Sequence, residues 1–257
     1  MYDALYPILK RMKVGTNDET KGRRIIGPLV VELCEGRPAP AILDVGAGRG
    51  EDLLSVRKAL PDATASAVES HPVSVAHLRP AGVEVAEVDI EHERLPFADE
   101  SFDVVMCNQV LEHVKELFWV VSELSRVCKV GGRLLLGVPN LGSLHNRVAL
   151  LAGRQPPAIH VFGPHVRGFT REGLRDFLEA GDVLKVERTL GCNFFPFPPA
   201  VSRPLARLLP GMAVVSLFVV KKAAADDFLK VFESPRSMEL VDTPYYRGVS
   251  ASVPGAN

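Results

Sequence analysis

The stretch Ala41-Ile42-Leu43-Asp44-Val45-Gly46-Ala47-Gly48-Arg49-Gly50 constrains the fold of this chain more than any other. Ala41 to Val45 is apolar except for Asp44 and reads as a buried strand. Three alternating glycines follow, and Glu51 to Leu60 then reads as a helix that stops before Pro61. Glycines gather in such a turn where the backbone bends sharply and a ligand must approach without a Cβ in the way. A glycine turn beyond the carboxyl end of a strand, at a helix N-terminus, is the usual ligand crevice of an open α/β sheet.

The rest of the chain keeps the rhythm that such a sheet needs. Strand patterns fall at 64–69, 83–88, 102–107, 133–138, 182–190 and 212–221. Helical patterns fall at 72–78, 114–127 and 171–180, with Pro72 at a helix start and Thr170 as an N-cap. Gly131-Gly132 reads as the stop of the 114–127 helix. Strands alternating with helices predict an α/β fold: a doubly wound, Rossmann-like sheet of seven strands, mostly parallel, with helices on both faces.

The regular part is flanked and interrupted. Tyr2, Leu5, Tyr6 and Leu9, then Ile25 to Leu33, predict a helical cap over 1–35 that packs on the sheet edge or covers the site. The cofactor-binding core spans 36–138. The segment 139–169 has no strand period and holds Pro156, Pro157 and Pro164. An interruption this long predicts a functional lid. Residues 170–221 complete the sheet, and 222–257 form a weakly patterned tail with a disordered end. All of this fits a single domain of 257 residues.

Composition excludes several classes. The formal net charge is −1, so no overall basic field draws the chain onto nucleic acid. Cys34, Cys107, Cys128 and Cys192 are far apart and form no C-x-x-C pair, which argues against a zinc site or a disulfide framework. No metal is expected, and reduced thiols suit a cytoplasmic protein. Met1 to Lys13 mixes charged and apolar residues, unlike a signal peptide. The longest apolar run, Met212 to Val220, is far short of the ~20 residues of a membrane span.

The glycine turn also says something about its ligand. A dinucleotide fingerprint is G-x-G-x-x-G, whereas Gly46, Gly48 and Gly50 are followed by Glu51 at the third-glycine position. An acid at a helix N-terminus repels a pyrophosphate. Asp44 inside an apolar strand fits a ligand that carries an ammonium or sulfonium cation; it also fits a carboxylate bonded to the loop's own N–H groups. Glu69 follows Asp44 by 25 residues and is placed to accept from ribose hydroxyls, or to be a solvated loop acid. Asp89 ends the 83–88 strand and could accept from an adenine amine, or simply form a turn. Three acids at three successive strand ends are more specific than any one.

Leu43 to Gly50, the approach Leu95-Pro96-Phe97-Ala98-Asp99-Glu100-Ser101-Phe102-Asp103, the segment Asn108-Gln109-Val110-Leu111-Glu112-His113-Val114, and Gly131-Gly132-Arg133-Leu134 with Val138-Pro139-Asn140 occur in order. That ordered set resembles the class I S-adenosylmethionine-dependent methyltransferases, in their small-molecule branch. The resemblance implies a seven-stranded sheet whose last strand is antiparallel and S-adenosylmethionine as cofactor. It implies that Gly46, Ala47 and Gly48 lie against the methionine part, with Asp44 near the amino group. Glu69 would take the ribose, Ser70, His71, Asp89 and Ile90 the adenine, and Asn108 and Gln109 the floor beneath the sulfonium. Ala180-Gly181-Asp182 departs from the family's apolar residue after the glycine, which puts the start of the 182–190 strand in doubt.

Methyl transfer from a sulfonium is largely positioning, with a base useful when the acceptor is a hydroxyl. His113 and His165 are the candidate bases, because histidine titrates near neutral pH. His113 also reads as a helix-start histidine bonded locally, and Glu112 as an acid that could assist a cation or metal or as part of a solvated face. His160, in the same segment as His165, could also reach the acceptor when the lid closes, with at least one of the two structural; His145 is a weaker candidate. Phe194, Phe195 and Phe197 among prolines form either a wall for an aromatic, lipid-like or glycan acceptor or a loop pinned by its own rings. Val138-Pro139-Asn140-Leu141 stands where enzymes that methylate nucleobase or glutamine amines carry Asn-Pro-Pro-Tyr or Asp-Pro-Pro-Tyr. The expectation is a methyltransferase, monomeric or dimeric, acting on a small molecule at oxygen. The rivals are a non-catalytic scaffold on the same fold and an NAD-dependent oxidoreductase.

Overall fold

The computed structural model describes residues 22–233. Its elements in chain order are α1 (Arg23–Leu33), β1 (Ala41–Val45), α2 (Glu51–Ala59), β2 (Thr64–Val68), α3 (Pro72–Leu78), β3 (Glu84–Ala86), β4 (Phe102–Asn108), α4 (Leu117–Val127), β5 (Cys128–Pro139), α5 (Leu144–Leu151), α6 (Arg171–Glu179), β6 (Leu184–Cys192), α7 (Pro199–Leu208) and β7 (Val215–Lys222). The expected helix around residues 2–9 and the tail beyond 233 lie outside the described residues.

The seven strands form one sheet in the order β3-β2-β1-β4-β5-β7-β6. β1 to β5 pair in parallel, and β7 runs antiparallel to both β5 and β6. This is the expected doubly wound sheet with its antiparallel last strand. The chain winds outward from β1 to β3, then crosses back to lay β4 on the other side of β1. Ligands bind at such a reversal, outside the carboxyl ends of the strands.

Both faces of the central strands are buried. Ile42, Val104, Met106, Leu135, Leu217 and Val219 face one core with α1 and α2; Leu43, Val45, Val105, Leu136, Phe218 and Val220 face the other with α4 and α6. Strands covered on both sides read as near-continuous apolar runs, which is why β1 and β4 were legible. Asp44 is the exception inside β1, at 3% exposure.

Several boundaries differ from expectation for local reasons. The helix expected from Val114 begins at Leu117, so His113 is in a turn, its N–H donating to the Val110 carbonyl at 2.9 Å. Gly131-Gly132 does not stop that helix: α4 ends at Val127, and Gly131 lies within β5 with φ +78. The β4–β5 register shifts between Phe102 and Val104, and the left-handed glycine accommodates the irregularity. Thr170 does cap α6, its hydroxyl oxygen accepting the Gly173 N–H at 3.1 Å. β6 begins at Leu184, after Asp182 at φ +58, two residues later than expected.

The approach to β4 is held by one guanidinium. Arg126 donates to both oxygens of Glu123 at 2.7 Å, to the carbonyls of Leu95 and Phe97, and to Asp99. Glu123, almost fully buried, also accepts the Leu95 N–H at 2.8 Å. Removing one member leaves a buried charge without its counterpart. Arg126→Ala should therefore lower the unfolding free energy by about 3 kcal/mol, read by urea denaturation; a change below about 1 kcal/mol would mean the network acts as an ordinary surface pair.

Candidate functional site

The site builds from the strand ends outward. Beyond β1 the backbone turns through Gly46 at φ +73 and Gly48 at φ +55. A side chain at Gly46 would collide with Val110, whereas nothing lies within 4 Å of where a Cβ would stand on Gly48. The first glycine thus serves packing, and the second leaves an opening above the turn. The Gly48 N–H donates to Glu69 Oε2 at 2.7 Å, and the His71 N–H donates to Oε1 of the same carboxylate at 2.8 Å. Loop N–H donation was one reading for Asp44; here it goes to Glu69, at the end of β2.

Asp44 lies beneath this turn, with Met106 beside it across the β1–β4 pairing. Burial pushes its carboxyl well above the usual carboxylate range; Asp52 and Glu69 push it further up, and Arg23 draws it down. Arg23 is the cation beside this acidic group: it pairs with Glu51, and its Nε stands 3.9 Å from Asp52. The pairing offsets part of the repulsion that Glu51 would exert on an anion, so the case against a pyrophosphate rests chiefly on Asp44 and Glu69. Arg23 and Asp52 were missed as site residues, because nothing local in the sequence joins position 23 to position 52.

On the β4 side, Asn108 Nδ2 donates to Asp52 Oδ2 at 3.0 Å. Gly137 leaves room for the Asn108 amide, which a Cβ there would strike. Gln109 adopts φ +59, a left-handed conformation that is uncommon outside glycine. Its N–H donates to the Gly137 carbonyl at 2.7 Å, while its buried Nε2 has no hydrogen-bond partner among the described residues. Strain and an unsatisfied donor at a strand end are marks of a site.

The remaining candidates lie around this opening with less burial. Ser70 and His71 are exposed, and His71 precedes α3 as its N-cap. Asp89 is exposed and engaged in its own turn, accepting from the Glu91 N–H at 2.9 Å and pairing with His92 Nδ1 at 2.6 Å. That is the turn-forming alternative for Asp89. Ile90 is half-buried against the core.

The segment 139–169 is closed at its base by a bridge between Asn140 and Phe169. Asn140 is buried and donates to the carbonyls of Gly211 and Ala213. The segment carries α5, an element its proline-rich surroundings did not disclose. It then returns over the end of β4: the Val166 and Arg167 N–H groups donate to the Glu112 carbonyl at 2.9 and 3.2 Å. This brings His165 against His113, with ring centroids 4.7 Å apart. Glu112 is not on a solvated face but buried, at 1% exposure.

The other histidines fall away from this pair. His160 contacts Phe162, and His145 packs on Phe195, where burial lowers its imidazole to about 4. Phe194 is buried in a small cluster with Ala206 and Ala213, so it is part of a pinned loop rather than an acceptor wall. Phe197 is exposed.

A buried acid under an open glycine cradle, with a ribose-distance acid at the next strand end, fits a cationic adenosine compound. Comparison with known proteins agrees with that chemistry. Residues 43–136 match the family described as "Methyltransferase domain". A Mycolicibacterium smegmatis protein named as a probable S-adenosylmethionine-dependent methyltransferase is 33% identical over 165 residues, 62% of this chain and 56% of that one. A ubiquinone biosynthesis O-methyltransferase of Pseudomonas putida is 35% identical over 130 residues, 48% of this chain and 55% of that one. The chain spans about half the length of the curated relatives it matches. A solved S-adenosylmethionine-dependent methyltransferase from Thermotoga maritima shares the fold with TM-score 0.55 at 19% identity, covering 86% of this chain and 100% of that one.

The raised carboxyl of Asp44 has a consequence for stability. The folded chain binds a proton there more tightly than the unfolded chain, so the Asp44 contribution makes stability fall as pH rises from about 4 through the raised value. Asp44→Asn removes that component. The urea midpoint of the parent should drop more than that of the variant between pH 5 and pH 8. Parallel pH profiles would show that Asp44 is ionised in the ligand-free fold.

Proposed function

We propose that this chain, whose residues 43–136 belong to the class I S-adenosylmethionine-dependent methyltransferases, moves a methyl group from S-adenosylmethionine to a small-molecule acceptor at oxygen. The observation that carries the reading is the buried Asp44 carboxyl beneath the opening at Gly48. A cationic ligand favours the ionised form of that acid and gains from it, whereas an anionic one gains nothing there. S-adenosylmethionine would supply an electrophilic methyl carbon on its sulfonium.

The roles follow from the placement of the residues. Gly46, Ala47 and Gly48 would lie against the methionine part, with Asp44 near its amino group. The Glu69 carboxylate retains lone pairs beyond the two N–H groups it accepts and would take the ribose hydroxyls. Ser70, His71, Asp89 and Ile90 would border the adenine, and Asn108 with Gln109 would hold the floor under the sulfonium. Positioning the acceptor about 3 Å from the methyl carbon, in line with the breaking bond, would supply much of the rate.

Oxygen is favoured over nitrogen by two features. Val138-Pro139-Asn140 ends β5 with an asparagine committed to main-chain carbonyls, not with a side chain left to grip an amine. The histidine pair at His113 and His165 would take the proton of an acceptor hydroxyl, His113 being the more exposed. The 139–169 segment would act as the lid on that acceptor. Cys34, Cys107, Cys128 and Cys192 are buried and form no disulfide with one another, which suits the reducing cytoplasm. Among the described residues no helix is long and apolar enough to cross a membrane.

Calorimetric titration tests the reading directly. S-adenosylmethionine or S-adenosylhomocysteine should bind, and Asp44→Ala or Glu69→Ala should each weaken binding more than tenfold, the loss of a charged hydrogen bond of about 1.5–3 kcal/mol. Absence of binding in the parent would refute the cofactor. Unchanged affinity in both variants would refute the site.

A further inference from the structure

Three side chains at the acceptor end form a group with its own chemistry. One ligand atom from each of Glu112, His113 and His165 lies within 4.8 Å of the other two. Glu112 is buried, His165 half-buried and His113 exposed, so the group opens to solvent on one side. Its framework is covalently distant but well tied. Besides the two N–H groups donated to the Glu112 carbonyl, Arg167 Nη2 donates to the Lys115 carbonyl at 2.6 Å.

The hydrogen bonds of the two rings determine which nitrogen faces the group. His113 Nδ1 is 3.2 Å from the Pro164 carbonyl, and His165 Nδ1 is 2.8 Å from the Ala158 carbonyl. A carbonyl oxygen only accepts, so each neutral ring carries its proton on Nδ1 and its lone pair on Nε2. His113 Nε2 stands 3.9 Å from Glu112 Oε1. Two imidazole lone pairs and a buried carboxylate therefore converge, and none of the three can donate to another. A backbone carbonyl fixing the outer nitrogen is the usual support for a histidine that binds metal through the other.

We propose that Glu112, His113 and His165 bind one divalent first-row transition ion of the zinc type. Two imidazoles and a carboxylate form a known catalytic zinc donor set that leaves a further position open, whereas magnesium prefers oxygen donors. Tetrahedral ligation at ~2.0–2.1 Å sets ligand atoms roughly 3.3 Å apart, so the pairs must close by about 0.6 Å between Glu112 and His113 and by no more than about 1.5 Å elsewhere. The His113 side chain, 40% exposed, is the least packed of the three. With the ion bound, the two imidazoles act as ligands rather than bases, and the ion's open position would take the acceptor oxygen. The site itself does not require methyl transfer; only its place at the acceptor rests on that reading.

The test is equilibrium dialysis of the chelator-treated chain against Zn2+, with Co2+ absorption as a second readout. The parent should bind one ion per chain and give a ligand-field spectrum with Co2+. His165→Ala and Glu112→Gln should each lose more than tenfold in Zn2+ affinity and lose the spectrum, while His160→Ala, on the same excursion but outside the group, should bind as the parent does. S-adenosylhomocysteine titrated into the same samples reports separately on the cofactor reading and, where it binds, on folding. No stoichiometric ion in the parent, or undiminished affinity in a His165→Ala chain with the parent's circular dichroism, would overturn the proposal.

Discussion

The Glu69 carboxylate accepts the Gly48 N–H with one oxygen and the His71 N–H with the other. This ties the loop after β1 to the loop after β2, on the side of the crevice away from β4. A turn with three left-handed glycines, Gly46, Gly48 and Gly50, has little conformational preference of its own. Its shape must come from what holds it: the Val68 carbonyl, which accepts the N–H groups of Gly46 and Ala47, and the charged Glu69 beside it. The Glu69 oxygens retain lone pairs, so a group that shapes the turn is also available to a ligand lying on it.

Acidic groups cluster around that turn. Asp52 and Glu69 add to burial in raising the proton affinity of Asp44, and Arg23 from α1 opposes them. A buried carboxyl is costly in a ligand-free fold. A hydrophobic residue at 44 would satisfy β1 better, as its neighbours Leu43 and Val45 do. The cost becomes intelligible if a cation completes the site. α1 then has a role beyond covering the sheet, because its first residue adjusts the charge at the floor.

Much of this was legible in the sequence because its causes are local. β1 and β4 are apolar runs, Asp44 is an anomaly within one of them, and glycine spacing distinguishes one kind of nucleotide turn from another. The parts that were not legible have distant causes. Glu112 reads as a solvated acid after Leu111, yet it is buried, in a turn whose main chain receives residues 166 and 167. Gly131 reads as a helix stop, yet the register slip against β4 places it inside a strand. α5 has a weak apolar face beside prolines, and its setting follows from Asn140, held by carbonyls some 70 residues further on.

The site therefore divides into two parts with different physical origins. The cofactor side is made by strand ends, whose positions the sheet's pairing dictates, and it varies little unless the sheet does. The acceptor side is made by an excursion closed at Asn140 and Phe169 and laid back over the end of β4. Its hydrogen bonds to the turn after β4 are accepted by the main-chain carbonyls of Glu112, Val114 and Lys115, which any sequence can supply. Side chains on the excursion can change without disturbing the sheet, so the acceptor can change while the fold and the donor site stay as they are. Proteins sharing this sheet can then differ in what they act upon, and the residues that decide it are those least constrained by the fold.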